Sequence, residues 1–203
     1  MAAAASAPIV VVEQYAASIE SDRLSRAISD RFVVFDLETT GLDPESNEII
    51  EVGAIRVNRR SGERQFFRAL VRARHAIPKQ ITDLTGITQE MVEEGGQSAQ
   101  AALAAFLGFI GDLPLVTFAA DFDMAFLRNA LERSDLPRRI GNPVCCALKM
   151  ARCAWPFLGS YRLADLARDG AIFTHEAHRA VGDCERALLV FLAATRELNA
   201  VHD

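Results

Sequence analysis

Phe32-Val33-Val34-Phe35-Asp36-Leu37-Glu38-Thr39-Thr40-Gly41 is the stretch on which the fold turns. Residues 32–37 are apolar and β-prone apart from Asp36. They run into Thr39-Thr40-Gly41 and Asp43-Pro44, so the stretch reads as a strand that ends in a turn. Side chains alternate between the two faces of a strand. Asp36 and Glu38 therefore project to one side, and Phe35 and Leu37 to the other. A carboxylate in apolar surroundings is costly unless it is paired or holds a metal.

Working outward, residues 49–57 form a second strand candidate and 65–71 a third, with Arg59-Arg60-Ser61-Gly62 as the turn between them. Such short connections give an antiparallel meander. Helices follow. Residues 78–84 open with a proline at a first-turn position, and 88–93 form a short helix. Residues 98–110 are capped by Ser98 and stopped by Gly111. A short apolar strand covers 115–119, and a helix starting at Asp121 or Asp123 runs to about 133. Residues 144–154 read as helix, or as strand then helix. Residues 161–168 form a short helix and 180–198 a long one. Strands first, then strands alternating with helices, indicate an α/β domain with a mixed sheet.

Two further acidic positions lie far along the chain. Asp123 sits in Phe122-Asp123-Met124-Ala125-Phe126-Leu127, two residues after Asp121. Two positions on a helix are about 200° apart, so these acids cannot serve one site. Asp121 directly follows the apolar strand and suits an N-cap. Asp123 falls in the first turn facing inward, at a strand end, where α/β sheets place ligands. His178 and Asp183 are five apart, about 140° around a helix. If the helix begins just after His178, Asp183 is held rigidly and His178 sits on an approach loop. Four converging acids would make a divalent-cation site, with histidine as the one obvious base. That is the apparatus of metal-dependent phosphodiester hydrolysis.

The 203 residues fit one domain with a sizeable core. Residues 1–7 and 9–12 are apolar, but no basic residue precedes them and Glu13 ends the run. This reads as a tail rather than a secretory signal, and the expected location is cytoplasmic. Rough helical spacing over 13–29 predicts a helix ahead of the main domain, dividing the chain into a 1–30 extension and a 31–203 domain. None of the four cysteines forms a Cys-x-x-Cys pair, so reduced thiols are expected. No apolar run reaches the roughly 18 residues of a membrane span. A net charge of −5 argues against gripping nucleic acid by charge alone. It leaves room for an enzyme that holds a few phosphates through metal ions.

Together these elements resemble the three motifs of the DEDDh 3′–5′ exonuclease superfamily, most closely the proofreading epsilon-subunit type of bacterial DNA polymerase III. The first motif reads Val33-Val34-Phe35-Asp36-Leu37-Glu38-Thr39-Thr40-Gly41-Leu42, with Ile50-Glu51-Val52-Gly53-Ala54 at the usual distance. Phe122-Asp123-x-x-Phe126-Leu127 matches the second motif. His178-x-Ala180-x-x-Asp183 matches the third, in the form that defines the histidine branch. The sister branch carries Tyr where this chain has Arg179. One departure is Phe118-Ala119, where relatives commonly have His-Asn, a polar pair near the substrate.

The resemblance implies a ribonuclease-H-like mixed five-stranded sheet flanked by helices. It implies that Asp36, Glu38, Asp123 and Asp183 hold two divalent cations, Mg²⁺ or Mn²⁺, and that His178 is the general base. The terminal nucleotide would lie against Leu37, Thr39, Thr40, Gly41, Leu42 and Phe122, and a nucleoside 5′-monophosphate would leave. The implied partner is a single-stranded or frayed nucleic-acid 3′ end. A DNA polymerase, or a second copy bound through residues 1–30, would be a further partner; a cover for an apolar face is the other reading of that extension. The Glu38-Thr39-Thr40-Gly41 string resembles the DNA-proofreading type. An RNA-trimming exonuclease of the same fold is the first alternative, and a non-catalytic nucleic-acid or polymerase-binding module the second.

Overall fold

The computed structural model describes residues 30–136, 140–169 and 179–200. The helix expected over 13–29, nearly all of the 1–30 extension and His178 lie outside the described residues.

Strand β1 (Arg31–Thr39) pairs antiparallel with β2 (Ile49–Asn58), which pairs antiparallel with β3 (Arg64–Leu70). On its other edge β1 pairs parallel with β4 (Leu115–Thr117), which pairs parallel with β5 (Val144–Cys146). The order β3-β2-β1-β4-β5 is the expected mixed five-stranded sheet. Helices α1 (Lys79–Thr85), α2 (Gln89–Glu94) and α3 (Ala99–Ile110) follow β3. Helix α4 (Ala120–Arg133) lies between β4 and β5, and α5 (Ala147–Ala154), α6 (Leu163–Asp169) and α7 (Ala180–Ala200) come last.

Strand alternation divides the apolar residues of β1 between two cores. Val33, Phe35 and Leu37 join Leu103 and Phe106 of α3 and Met124 and Leu127 of α4. Phe32 and Val34 join Leu188 and Phe191 of α7 on the opposite face. Each fully buried side chain of this size stabilises the fold by about 1.5–3 kcal/mol, so both faces hold β1 firmly. Asp36 and Glu38 continue the Phe32–Val34 row toward the strand end, beneath the start of α7.

The packing that anchors α7 also delivers Asp183. The Phe32 and Phe191 rings lie 5.4 Å apart, nearly edge to face. Asp183 precedes Phe191 by eight residues, about 12 Å of helix. Asp36 follows Phe32 by four, about 13 Å of strand. One apolar contact therefore sets the register that brings the two acids level.

The helix ends follow local chemistry. Ser98 caps α3 by accepting from the Ala101 amide at 3.2 Å, and Thr88 caps α2 by accepting from Met91 at 3.1 Å. Gly111 ends α3 at φ 54°, the left-handed region that glycine enters most easily. Three expectations need correction. Pro78 is the residue before α1, extended at ψ 139°, rather than inside its first turn. Strand β4 stops at Thr117, since the carbonyl of Phe118 instead accepts the Leu148 amide at 3.0 Å. Asp121 is not the cap of α4: the helix begins at Ala120 with Ala119 ahead of it and no side-chain cap. Asp121 is exposed and pairs with Lys149 at 3.1 Å. Residues 144–154 resolve as strand then helix.

Candidate active site

Carboxylate oxygens of Asp36, Glu38 and Asp183 all lie within 4.8 Å of one another. All three residues are half-buried, two near the end of β1 and one in the first turn of α7. Asp123 stands beside them from α4 and is 2% exposed. Strand β4 pairs with β1 only as far as Val34–Val116, which leaves the later amides of β1 without a strand partner on that edge. The Asp123 carboxylate accepts from the Thr117 hydroxyl.

Crowded carboxylates resist ionisation. Burial, then the charges of Asp183, Glu51 and Asp123, push Glu38 up to about 8. Burial, then Asp123, Asp183, Glu38 and Glu51, hold Asp36 well above the usual carboxylate range. Burial also raises Asp123 to about 7, against the pull of its hydrogen bond from Thr117 and of the backbone at Ala119 and Leu37. Acids held so close together need counter-charge. An oxygen-only donor set of this spacing fits a hard divalent cation such as Mg²⁺ or Mn²⁺.

A fifth acid is used differently. Glu51 faces Glu38 across the β1–β2 ladder and its side chain is fully buried. Its Oε1 accepts from Arg68 Nε at 2.7 Å and from Arg179 Nη2 at 2.7 Å. Its Oε2 accepts from Arg179 Nε at 3.2 Å and from the Ala180 amide at 3.0 Å. Glu51 thus ties β2 to the first residue of α7 through a forked, charge-assisted pair. The position where the sister branch carries Tyr is therefore spent on a latch. Gly53 serves the same junction: a Cβ there would meet the Ala180 carbonyl carbon at 2.5 Å and the Val181 nitrogen at 2.6 Å. Only glycine lets α7 start this close to the strand.

The nucleotide-side residues divide by exposure. Thr39 and Thr40 are buried and their hydroxyls serve the loop. Thr39 Oγ1 donates to the Gly41 carbonyl at 2.6 Å, and Thr40 Oγ1 accepts from the Glu48 amide at 2.9 Å. The Leu37 side chain is in the core. Leu42, 84% exposed, and Phe122, half-buried with its ring 4.8 Å from that of Phe126, are left to present apolar surface. At the departure from the family pattern, Phe118 packs partly into the α7-side core and Ala119 offers no polar side chain. Sequence reasoning reached Asp36, Glu38, Asp123 and Asp183. It passed over the roles of Glu51, Arg179, Thr117 and Arg186, the last of which donates from Nη1 to Asp183 Oδ1 at 2.6 Å.

The profile of the Exonuclease family (RNase_T) matches residues 33–191. The chain belongs to the exonuclease family. This exonuclease is 35% identical over 167 residues to the DNA polymerase III subunit epsilon of Aquifex aeolicus, covering 82% of this chain and 81% of that one. It is 36% identical over 160 residues to the PolC-type DNA polymerase III of Clostridium perfringens. That match covers 78% of this chain and only 11% of the much longer relative. Among solved structures, the nuclease domain of 3′hExo, described as a DEDDh family member bound to rAMP, superposes with a TM-score of 0.70. Identity is 20%, with 84% of this chain and 92% of that one covered. Escherichia coli Exonuclease I in complex with a dT13 oligonucleotide superposes at 0.68 and 21% identity, covering 85% of this chain and 43% of that one. These two likenesses establish the shared fold. In sequence it is epsilon-like over most of both chains. Among the described residues no helix is long and apolar enough to cross a membrane.

Proposed function

We propose that this exonuclease trims DNA from a single-stranded or frayed 3′ end, one nucleoside 5′-monophosphate at a time. The observation that carries this reading is the convergence of Asp36, Glu38 and Asp183 within 4.8 Å, with Asp123 beside them. These four acids would hold two Mg²⁺ or Mn²⁺ ions. When bound, such ions polarise the scissile phosphate and offset the charge that develops on it.

The chain's own residues supply the rest. His178, whose neighbour Arg179 is held by Glu51, would take a proton from the attacking water. The water oxygen bonds to phosphorus as the bond to the 3′ oxygen of the preceding nucleotide breaks. That nucleotide is left with a free 3′ hydroxyl. Leu42 and Phe122 offer apolar faces to the departing base and sugar, and base stacking on such faces tolerates any sequence. Backbone at Leu37 and at Thr39 to Gly41 would line the sugar side. The likeness to a polymerase III epsilon subunit favours DNA and a cytoplasmic replication setting, with a DNA polymerase as partner.

The test is digestion of 3′-labelled DNA and RNA, single- and double-stranded, with Mg²⁺, Mn²⁺ or chelator. Mononucleotide release from DNA that stops in chelator is the expected outcome. Faster cleavage of the matched RNA would transfer the enzyme to RNA trimming. His178→Ala should keep Mn²⁺ binding and lose most turnover; undiminished activity would remove the histidine from the reaction.

A further inference from the structure

Arg186 touches the acidic cluster, yet the proposed reaction does not use it. It lies one turn beyond Asp183 on α7, and its side chain is 9% exposed against 14% for Asp183. Its Nη1 donates to Asp183 Oδ1 at 2.6 Å, a short charge-assisted contact. Asp183 thus faces two ways. One side meets a guanidinium, and the carboxylate also reaches the group formed with Asp36 and Glu38.

Arg186 has the same sign of charge as a metal ion, carried on a planar guanidinium fork. The pair is nearly shut off from water, so its field is little screened. A cation placed against Asp183 relieves the repulsion among the acids when no metal is bound. The same cation repels a divalent ion drawn to that carboxylate. With Oδ1 already accepting a hydrogen bond from Arg186, that oxygen is a weaker ligand for an ion.

We infer that Arg186 is a built-in counter-cation of the site: it stabilises the metal-free enzyme and weakens the hold of Asp183 on its divalent ion. This rests on the metal-site reading above. It assigns this chain a tuned, exchangeable ion at Asp183 rather than a permanently loaded one.

The experiment is calorimetric Mn²⁺ titration with thermal melts in chelator and in Mn²⁺, for wild type, Arg186→Gln, Arg186→Lys and the double variant Asp183→Asn with Arg186→Gln. Losing a group that orients a metal ligand commonly costs about 10–100-fold in affinity; losing a competing cation should act in the opposite direction. Arg186→Gln should bind Mn²⁺ about tenfold more tightly, melt lower in chelator and gain more from Mn²⁺ than wild type. Arg186→Lys, keeping the charge, should stay near wild type. The double variant removes the carboxylate along with its guanidinium, so it should fold while losing the gain in affinity. Unchanged or weaker Mn²⁺ binding by Arg186→Gln, with wild type binding normally, would overturn the inference and make Arg186 a positioning residue for Asp183. Wild type that binds no Mn²⁺ at all would instead overturn the metal-site reading itself.

Discussion

Asp121 and Asp123 share one helix turn and meet opposite surroundings. Asp121 is exposed and pairs with Lys149, a contact worth about 0–1 kcal/mol. Asp123 is buried, stands beside the cluster and accepts from Thr117. Asp121→Asn should therefore leave activity and melting temperature within error of wild type. Asp123→Asn keeps the volume and an acceptor oxygen but removes a charge from among like charges. Loss of hydrogen-bonded neighbours of ligands alone costs 10–100-fold in other metal enzymes, so loss of this acid should cost at least about 100-fold in kcat. Its melting temperature in chelator should stay level or rise, because the removed charge was repelled. Steady-state kinetics beside melts of both variants check this. A stable Asp123→Asn enzyme with full activity would remove Asp123 from the site.

At the level of elements, the junction of β2 with α7 controls the site from outside it. Glu51, Gly53 and Arg179 fix where α7 begins, and the segment carrying His178 ends there. Glu51→Gln keeps the shape but gives the two arginines a neutral acceptor. Both are partly exposed, so water softens the loss, and about 1–3 kcal/mol of stability should go. The sharper effect should be on turnover: kcat falls while KM changes little, since the nucleotide-side loop is untouched. A melting loss with no change in kcat would reduce the latch to a structural role. This junction also marks what could and could not be read from the sequence. Asp36 and Glu38 were legible because strand alternation needs no partner to be known. Asp123 was legible because two helical positions, about 200°, turn it away from Asp121. Glu51 was not, since an acid inside Ile49-Ile50-Glu51-Val52 reads the same whether it binds metal or arginine. Only the distant Arg68 and Arg179 decide between the two. The misread Asp121 cap has a similar cause: α4 begins at Ala120, two residues earlier than an Asp121 cap required, with Lys149 from α5 taking the aspartate.

For the whole molecule, the crowded acids make stability depend on pH in an unusual direction. Glu38 is raised from 4.5 to about 8 and Asp123 from 3.8 to about 7, with Asp36 raised as well. The folded protein therefore holds protons that the unfolded chain releases. Their stabilising effect is complete below about pH 4, and it is lost as pH climbs through 7 and 8. A tenfold change in a carboxyl group's proton affinity corresponds to about 1.4 kcal/mol, and 1 kcal/mol moves the melting temperature of a domain this size by roughly 2–4 °C. The three groups titrate as a set, so their contributions do not add in full. In chelator the melting temperature should fall by at least about 5 °C between about pH 5 and pH 8.5. Divalent ions bind the ionised acids, so their stabilisation should grow over the same interval. Mn²⁺ should raise the melting temperature little at pH 5 and strongly at pH 8.5, flattening or reversing the slope. Scanning calorimetry across that range, with and without Mn²⁺, makes the comparison. A metal-free profile that rises toward pH 8 would mean the four carboxylates do not share one site. The coupling ties catalysis to stability: divalent ions serving the proposed reaction would also relieve the repulsion among these acids.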